Sequence, residues 1–125
     1  LKERKPIMSS LANTLNKAHG NSPFKVDSTK FDFINLESLY TKDGGNARYQ
    51  LLGVYVNKKG RFGSEPVAII DGFKVNLPKH LLDDVQLILD SDDMIQAIID
   101  GHLGFEIEPY DNSRGHFYSI HWIDL

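Results

Sequence analysis

The residues best suited to binding chemistry cluster in residues 48–63, which read RYQLLGVYVNKKGRFG. This stretch holds four of the fourteen Lys and Arg residues, three of the thirteen aromatic residues and no acid. An aromatic ring that stacks on a base contributes ~1–3 kcal/mol whatever the base, and phosphates are bound by Lys or Arg. The stretch therefore predicts a surface for unpaired nucleic acid. The alternative is a hairpin whose tyrosines cover the domain and whose lysines only solubilise a loop.

Alternation within this stretch predicts a strand over 48–58 with two unlike faces. Its inner face should be aliphatic and consist of Leu52, Val54 and Val56. The residues on the other side, which should point outward, are Tyr49, Leu51, Gly53, Tyr55 and Asn57. Basic residues lie at both ends of this outer face.

Further candidates lie near the end of the chain. Tyr110 follows two glutamates at strand spacing and should point outward, while Trp122 shares the more apolar face of its strand and is either core or stacking surface. The predicted phosphate contacts are Arg48, Lys58, Lys59, Arg61 and Arg114, and the predicted stacking residues are Tyr49, Tyr55, Phe62 and Tyr110, with Asn57 and Trp122 as additional members of the site.

The elements that would position these residues follow from hydrophobic period and turn residues. Strands are predicted at 31–41, 48–58 and 67–77, a helical pair at 79–100, and two final strands at 103–110 and 116–125. Asp71-Gly72 in the third strand marks either a tight turn or a bulge. This order is that of an OB-fold, a mainly β (α+β) five-stranded Greek-key barrel with a helical segment between strands three and four. Other small α+β folds share the order.

The first 23 residues predict a basic arm and a short helix, with the OB-fold domain at 24–125. Leu11, Leu15 and Ala18 form a thin apolar stripe on that helix, which Gly20 would end. A helix this short is marginal alone, so we expect it to dock on its own domain or on a neighbouring copy. The second possibility predicts a homo-oligomer.

Composition indicates one globular domain with an uneven charge distribution. The 125 residues have a net charge of -3 and contain no cysteine, which excludes disulfides and thiolate metal sites. Residues 1–60 carry ten basic and five acidic residues, whereas residues 61–125 carry four and twelve. This asymmetry favours a polyanion-facing surface beside an acidic remainder, although the charges could also pair across the fold. No apolar run approaches the ~20 residues of a membrane span, and we expect a cytoplasmic protein.

Weaker motifs do not indicate catalysis. GRFG at 60–63 has the GxxG form of a KH loop, but a KH loop joins helices and this one joins strands. DSDD at 90–93 is explained by helix capping, and His116 and His121 should face opposite ways on a strand. Since no nucleophile with its base, Walker loop or dinucleotide fingerprint is present, we expect a protein without enzymatic activity, metal or cofactor.

From about Tyr49 to Leu125, the phrases GVYVNKKGRFGSEPVAIIDGFKVNLPKHLL, DDMIQAIIDGHLGFEIEPYD and YSIHWIDL resemble the small OB-fold single-stranded DNA-binding proteins of Gram-positive conjugative plasmids and mobile elements, the PrgE-like proteins. The resemblance implies a non-catalytic, sequence-tolerant coat on single-stranded DNA that assembles through its N-terminal arm. RNA remains an alternative ligand. Rival functions are a protein-binding OB-fold module without nucleic-acid activity and a small nuclease that uses the histidines and acids.

Overall fold

The computed structural model describes residues 22–60 and 63–125. In chain order, the elements are β1 (Asp32–Asn35), α1 (Leu36–Asp43), β2 (Arg48–Gln50), β3 (Gly53–Gly60), β4 (Gly63–Ile70), β5 (Phe73–Asn76), a 3-10 turn (Lys79–Leu81), α2 (Leu82–Leu89), α3 (Asp92–Ile99), β6 (Leu103–Asn112) and β7 (Gly115–Asp124). The predicted arm and first helix, together with Arg61 and Phe62, lie outside the described residues.

The strands form two sheets. One has the strand order β1-β5-β4-β3 and the other has the order β2-β6-β7. β1 pairs with β5 in parallel, and the remaining neighbours are antiparallel. The protein is therefore mainly β with some helix, as predicted. A closed five-stranded barrel is not confirmed, because the described strands divide between two separate sheets.

The predicted first strand is wrong over its second half, where the chain forms α1. Asn35 caps this helix, since its side-chain oxygen accepts the N–H of Ser38 at 2.8 Å. Leu36 and Leu39 are buried one turn apart, which gives the helix its inner face. Gly44 then ends the helix at φ +84°, a conformation that favours glycine. A local cap and an apolar pair thus outweigh the strand propensity of the aromatic and branched residues.

The predicted second strand is interrupted at Leu51 and Leu52, and its two halves belong to different sheets. The N–H of Leu51 donates to the carbonyl of Leu103 at 3.0 Å, whereas the N–H of Leu52 donates to the carbonyl of Ile69 at 2.8 Å. Consecutive residues are therefore hydrogen-bonded to different sheets. Leu51 is completely buried, although strict alternation placed it outside. The bend changes which side chains face the core.

Residues 67–77 form parts of two strands joined by a tight turn. Ile70 pairs with Phe73, and Gly72 lies between them at φ +86°.

The predicted helical pair is confirmed as α2 and α3. Ser91 caps α3 by accepting the N–H of Met94 at 3.2 Å.

The main core lies between the helices and the two sheets. Its fully buried members include Leu39, Leu51, Val54, Val85, Ile95 and Phe105. The opposite face of β4 is also covered, since Val67 and Ile69 are buried there. Phe24 is one of the side chains that cover this face, and its ring packs over Gly53. A Cβ at position 53 would lie 3.1 Å from the Phe24 ring, so the glycine leaves the space that the ring needs.

The β6–β7 hairpin extends past the core. Its strands pair from Leu103 and Asp124 to Asn112 and Gly115, longer than predicted, and a two-residue turn joins them. Burial on β6 ends at Ile107, and the rest of that strand is exposed. The hairpin therefore presents its far end to solvent. Within the described ranges, the helices lack the length and apolar character needed to cross a membrane.

Candidate nucleic-acid interface

Tyr49 is half-buried and packs against the core. It pairs with Phe105 on β6, and the two ring centroids lie 5.3 Å apart. Its hydroxyl donates to Oδ2 of Asp43 at 2.8 Å. Burial, followed by this hydrogen bond, raises the pKa of the Tyr49 phenol well above its usual value. The prediction that Tyr49 points outward is wrong, because the register with β6 turns it toward the body.

Arg48 lies on the outer face of β2, opposite Glu106 on β6. Its Nε is 3.8 Å from Oε2 of Glu106, and 65% of its side chain is exposed. An exposed pair of this kind contributes little to stability. The guanidinium remains accessible, but a carboxylate partly offsets its charge.

Tyr55 belongs to the other sheet, where it pairs with Val67 on β4. It is half-buried, and this burial raises the pKa of its phenol. Tyr49 and Tyr55 therefore do not form one continuous stacking surface, contrary to the prediction from alternation. The bend at Leu51 and Leu52 separates them.

The end of β3 presents two exposed cations, Lys58 and Lys59. Asn57 shapes this end, because its side-chain oxygen accepts the N–H of Lys59 at 3.1 Å. Arg61 and Phe62, the other predicted contacts here, fall outside the described residues. The described part of this strand end thus offers positive charge and an Asn-stabilised turn.

Two exposed rings lie together on the outer face of the β6–β7 hairpin. Tyr110 is 38% exposed and Phe117 is 37% exposed. They pair across the strands and stack with centroids 5.8 Å apart and planes 29° apart. The predicted outward position of Tyr110 is confirmed. We call Tyr110 and Phe117 the hairpin platform.

Phe117 was not among the predicted site residues. Alternation along the sequence puts it on the same face of its strand as Ser119 and His121 but does not show that it lies opposite Tyr110. That relation depends on the turn being only Ser113 and Arg114. Arg114 itself is exposed in this turn, and its backbone N–H donates to Oδ1 of Asn112 at 2.8 Å.

The hairpin also adjoins an open groove of about 330 Å³, which Phe117 of the platform lines together with His116 and Tyr118. His116 and Tyr118 contribute rings that meet edge to face at 5.0 Å, and Nδ1 of His116 lies 2.6 Å from Oδ1 of Asp111. Across the groove, the side chains include the amides Asn35 and Asn76. Rings on one wall and amides on the other form a cleft with both stacking and hydrogen-bonding groups.

The β3–β4 connection and this groove lie toward the same end of the four-stranded sheet. Leu77, which lines the groove, donates its N–H to the carbonyl of Pro66 at 3.0 Å. Pro66 pairs with Val56, and Lys58 and Lys59 follow two and three residues later. At ~3.3 Å per residue, these cations lie roughly 7–10 Å farther along the strand.

Trp122 belongs to the body of the domain. It is half-buried, its ring meets Phe105 edge on at 6.4 Å, and its Nε1 donates to Oδ2 of Asp84 at 2.9 Å. The indole therefore packs against Phe105 and α2 and is not part of the hairpin platform.

Among the described residues, no group of three or more His, Cys, Asp or Glu side chains could hold a metal ion. Comparison of this chain with protein-family models, curated proteins and solved structures finds no match. We therefore base a function on the geometry of the hairpin and of the groove beside it.

Proposed function

We propose that this protein binds single-stranded DNA without reading its sequence, and that the bases stack on the hairpin platform. The observation that carries this proposal is the exposure of two stacked rings, Tyr110 and Phe117, at the far end of a hairpin. Large apolar rings are normally buried, where each would stabilise the fold. Leaving more than a third of each residue exposed is consistent with a surface reserved for a flat ligand.

A pair of stacked rings suits bases of any identity. Every base has a π-face, and stacking contributes ~1–3 kcal/mol per base without hydrogen-bond readout. The two rings stack on each other with centroids 5.8 Å apart, so each keeps one face turned away from its partner on which a base can stack. Such a surface supports binding that tolerates sequence.

The charge around the platform supports modest affinity. Arg114 in the turn, with Lys58 and Lys59 at the end of β3, would contact phosphates. Glu108 and Asp111 on the same hairpin oppose this attraction. With two or three phosphate contacts, the slope of log K against log salt should be about -1.4 to -2.1 on a single strand. Stacking would then supply a large share of the binding free energy.

We further propose a relation to the OB-fold. It is supported by residues 48–60, which contribute strands to both sheets, and by the helices between β5 and β6. In that correspondence, the β3–β4 connection and the β6–β7 turn are the two loops that flank an OB-fold binding face. The addition of β1 beside β5 is a departure from the five-stranded pattern.

The test is a fluorescence anisotropy titration of the full chain with a labelled short dT oligomer at two salt concentrations. We expect Phe117→Ala to weaken binding by ~1–3 kcal/mol because one stacking surface is lost. Phe117→Tyr is the matched control, since it keeps the ring and should bind almost as the parent does. Because Phe117 is 37% exposed, neither change should unfold the domain.

Equal affinity of Phe117→Ala and the parent would contradict the proposed platform. A parent protein that binds no oligomer at low salt would contradict the function itself. Repeating the titration with an rU oligomer tests the ligand: binding to rU more tightly than to dT would identify RNA and would overturn the assignment to DNA.

A further inference from the structure

An apolar groove lies on the body of the domain, between the two central helices and β7. Its volume is about 220 Å³, and it is lined by Asp84, Leu87, Ile88, Met94, Leu103 and Trp122. Leu87 is 60% exposed and Met94 is 37% exposed. The first is the most exposed of the large apolar side chains described. We call this surface the helix groove.

The surroundings of the helix groove are strongly acidic. Residues 80–103, which form the helices and the start of β6, contain six Asp residues and no Lys or Arg. Those on the helices and the corner between them include Asp83, Asp90, Asp92 and Asp93, all of which are exposed. This field repels a polyanion and attracts a cationic partner.

We propose that the helix groove binds a basic amphipathic helix of a partner protein. Such a helix would place apolar residues, spaced three or four apart, against Leu87, Met94 and Trp122. Its Lys and Arg residues would lie above the aspartates at the rim. Charge complementarity selects this occupant, since an acidic helix would be repelled by the aspartates on the helical side of the groove.

The helix groove is remote from the hairpin platform. Trp122 pairs with Phe105, five residue steps along the hairpin from the Tyr110–Phe117 pair. At ~3.4 Å per step this is about 17 Å. The two surfaces can therefore be occupied together, and one protein could hold a basic partner and a nucleic-acid strand at once.

Trp122 makes the groove directly measurable, because it is the only tryptophan in the chain. The full protein is titrated with a helical peptide composed only of leucine and lysine, with the leucines on one face. We expect a saturable change in Trp122 fluorescence that weakens as salt rises. The control peptide, with every lysine replaced by glutamate, should produce no saturable change.

Leu87→Lys is the decisive variant. It removes an apolar contact and adds a repelling charge, so peptide affinity should fall about tenfold or more. The side chain is 60% exposed, so the fold should survive, which circular dichroism can verify. Phe117→Ala is the matched control and should bind the peptide as the parent does.

Three results would overturn the proposal. Equal binding of the lysine and glutamate peptides would show that the acidic field selects nothing. Parent-like peptide affinity in Leu87→Lys would place the binding elsewhere. The third result comes from sedimentation of the full chain. If the parent protein is a dimer and Leu87→Lys makes it a monomer, the groove is occupied by a second copy of the chain and not by a partner protein.

Discussion

Replacing Trp122 by Phe separates a structural role for this indole from a role in DNA binding. The change removes the donor of a 2.9 Å hydrogen bond to Oδ2 of Asp84. Hydrogen bonds to charged groups contribute roughly 1.5–3 kcal/mol when buried, and this one is only half-buried. Phe keeps part of the edge-on contact with Phe105. We therefore expect the free energy of unfolding to fall by about 1–2 kcal/mol, or roughly 3–10 °C in Tm.

The assay combines urea unfolding, followed by circular dichroism, with the dT titration. Asp84→Ala and the double variant complete a double-mutant cycle, and a coupling near 1 kcal/mol is expected for the hydrogen bond. Binding of dT should not change, since Trp122 lies about 17 Å along the strands from the hairpin platform. If Trp122→Phe weakened dT binding as much as Phe117→Ala while stability stayed the same, the indole would be part of the binding surface.

Two further changes test the junction between β2 and its neighbours. Gly104→Ala would press a Cβ against the backbone carbonyl of Tyr49, and this carbonyl cannot move without separating β2 from β6. Urea unfolding should therefore show that the free energy of unfolding falls by at least about 3 kcal/mol. Gly44→Ala is its control, because the space there is open and only the backbone conformation, at φ 84° and ψ 176°, is strained. We expect its free energy of unfolding to fall by about 1–3 kcal/mol, less than for Gly104→Ala, and an equal loss in both variants would contradict the packing argument. A hydrogen bond from Lys42, and after it one from Tyr49, lowers the pKa of the Asp43 carboxyl below its usual value. The stability that this carboxylate contributes is therefore present above the pKa of Asp43 in the unfolded chain, and it is lost as the pH falls through the pKa of Asp43 in the folded protein. Tyr49→Phe should raise the pKa of Asp43 and move that loss to higher pH; an unchanged NMR titration of the Asp43 carboxyl would show that this hydroxyl has no such effect.

Elements controlled by nearby residues were predictable. The α2–α3 pair follows from apolar period and from Ser91 as a cap, and the last two strands follow from alternation on both sides of a turn. The start of α1 was missed, although Asn35 carries a capping signal, because the aromatic and branched residues before it indicate a strand. The capping signal of Asn35 and the strand propensity of its neighbours are of similar strength. The choice between helix and strand is made by the packing of Leu39 in the core, which the local sequence does not show.

The candidate site was predictable only in its residue types. Cations and rings at 48–63 indicated nucleic acid, but alternation assumed one flat strand over 48–58. The structure divides that strand between two sheets and turns Tyr49 inward against Phe105. The sequence predicted that Tyr110 points outward, and it does. That Phe117 lies opposite Tyr110 and stacks on it follows only from the register of the hairpin.

The amino-acid sequence alone determined the mainly β class, the helical pair, and the separation of a basic first half from an acidic second half. These depend on local period, turn residues and composition. Tertiary structure decided which rings share a surface, because hydrogen bonds at Leu51 and Leu52 reach residues far along the chain and rotate the strand between two sheets. A shift of one residue in strand register moves a side chain to the opposite face of the sheet, and the register is set by hydrogen-bond partners that are distant in the sequence.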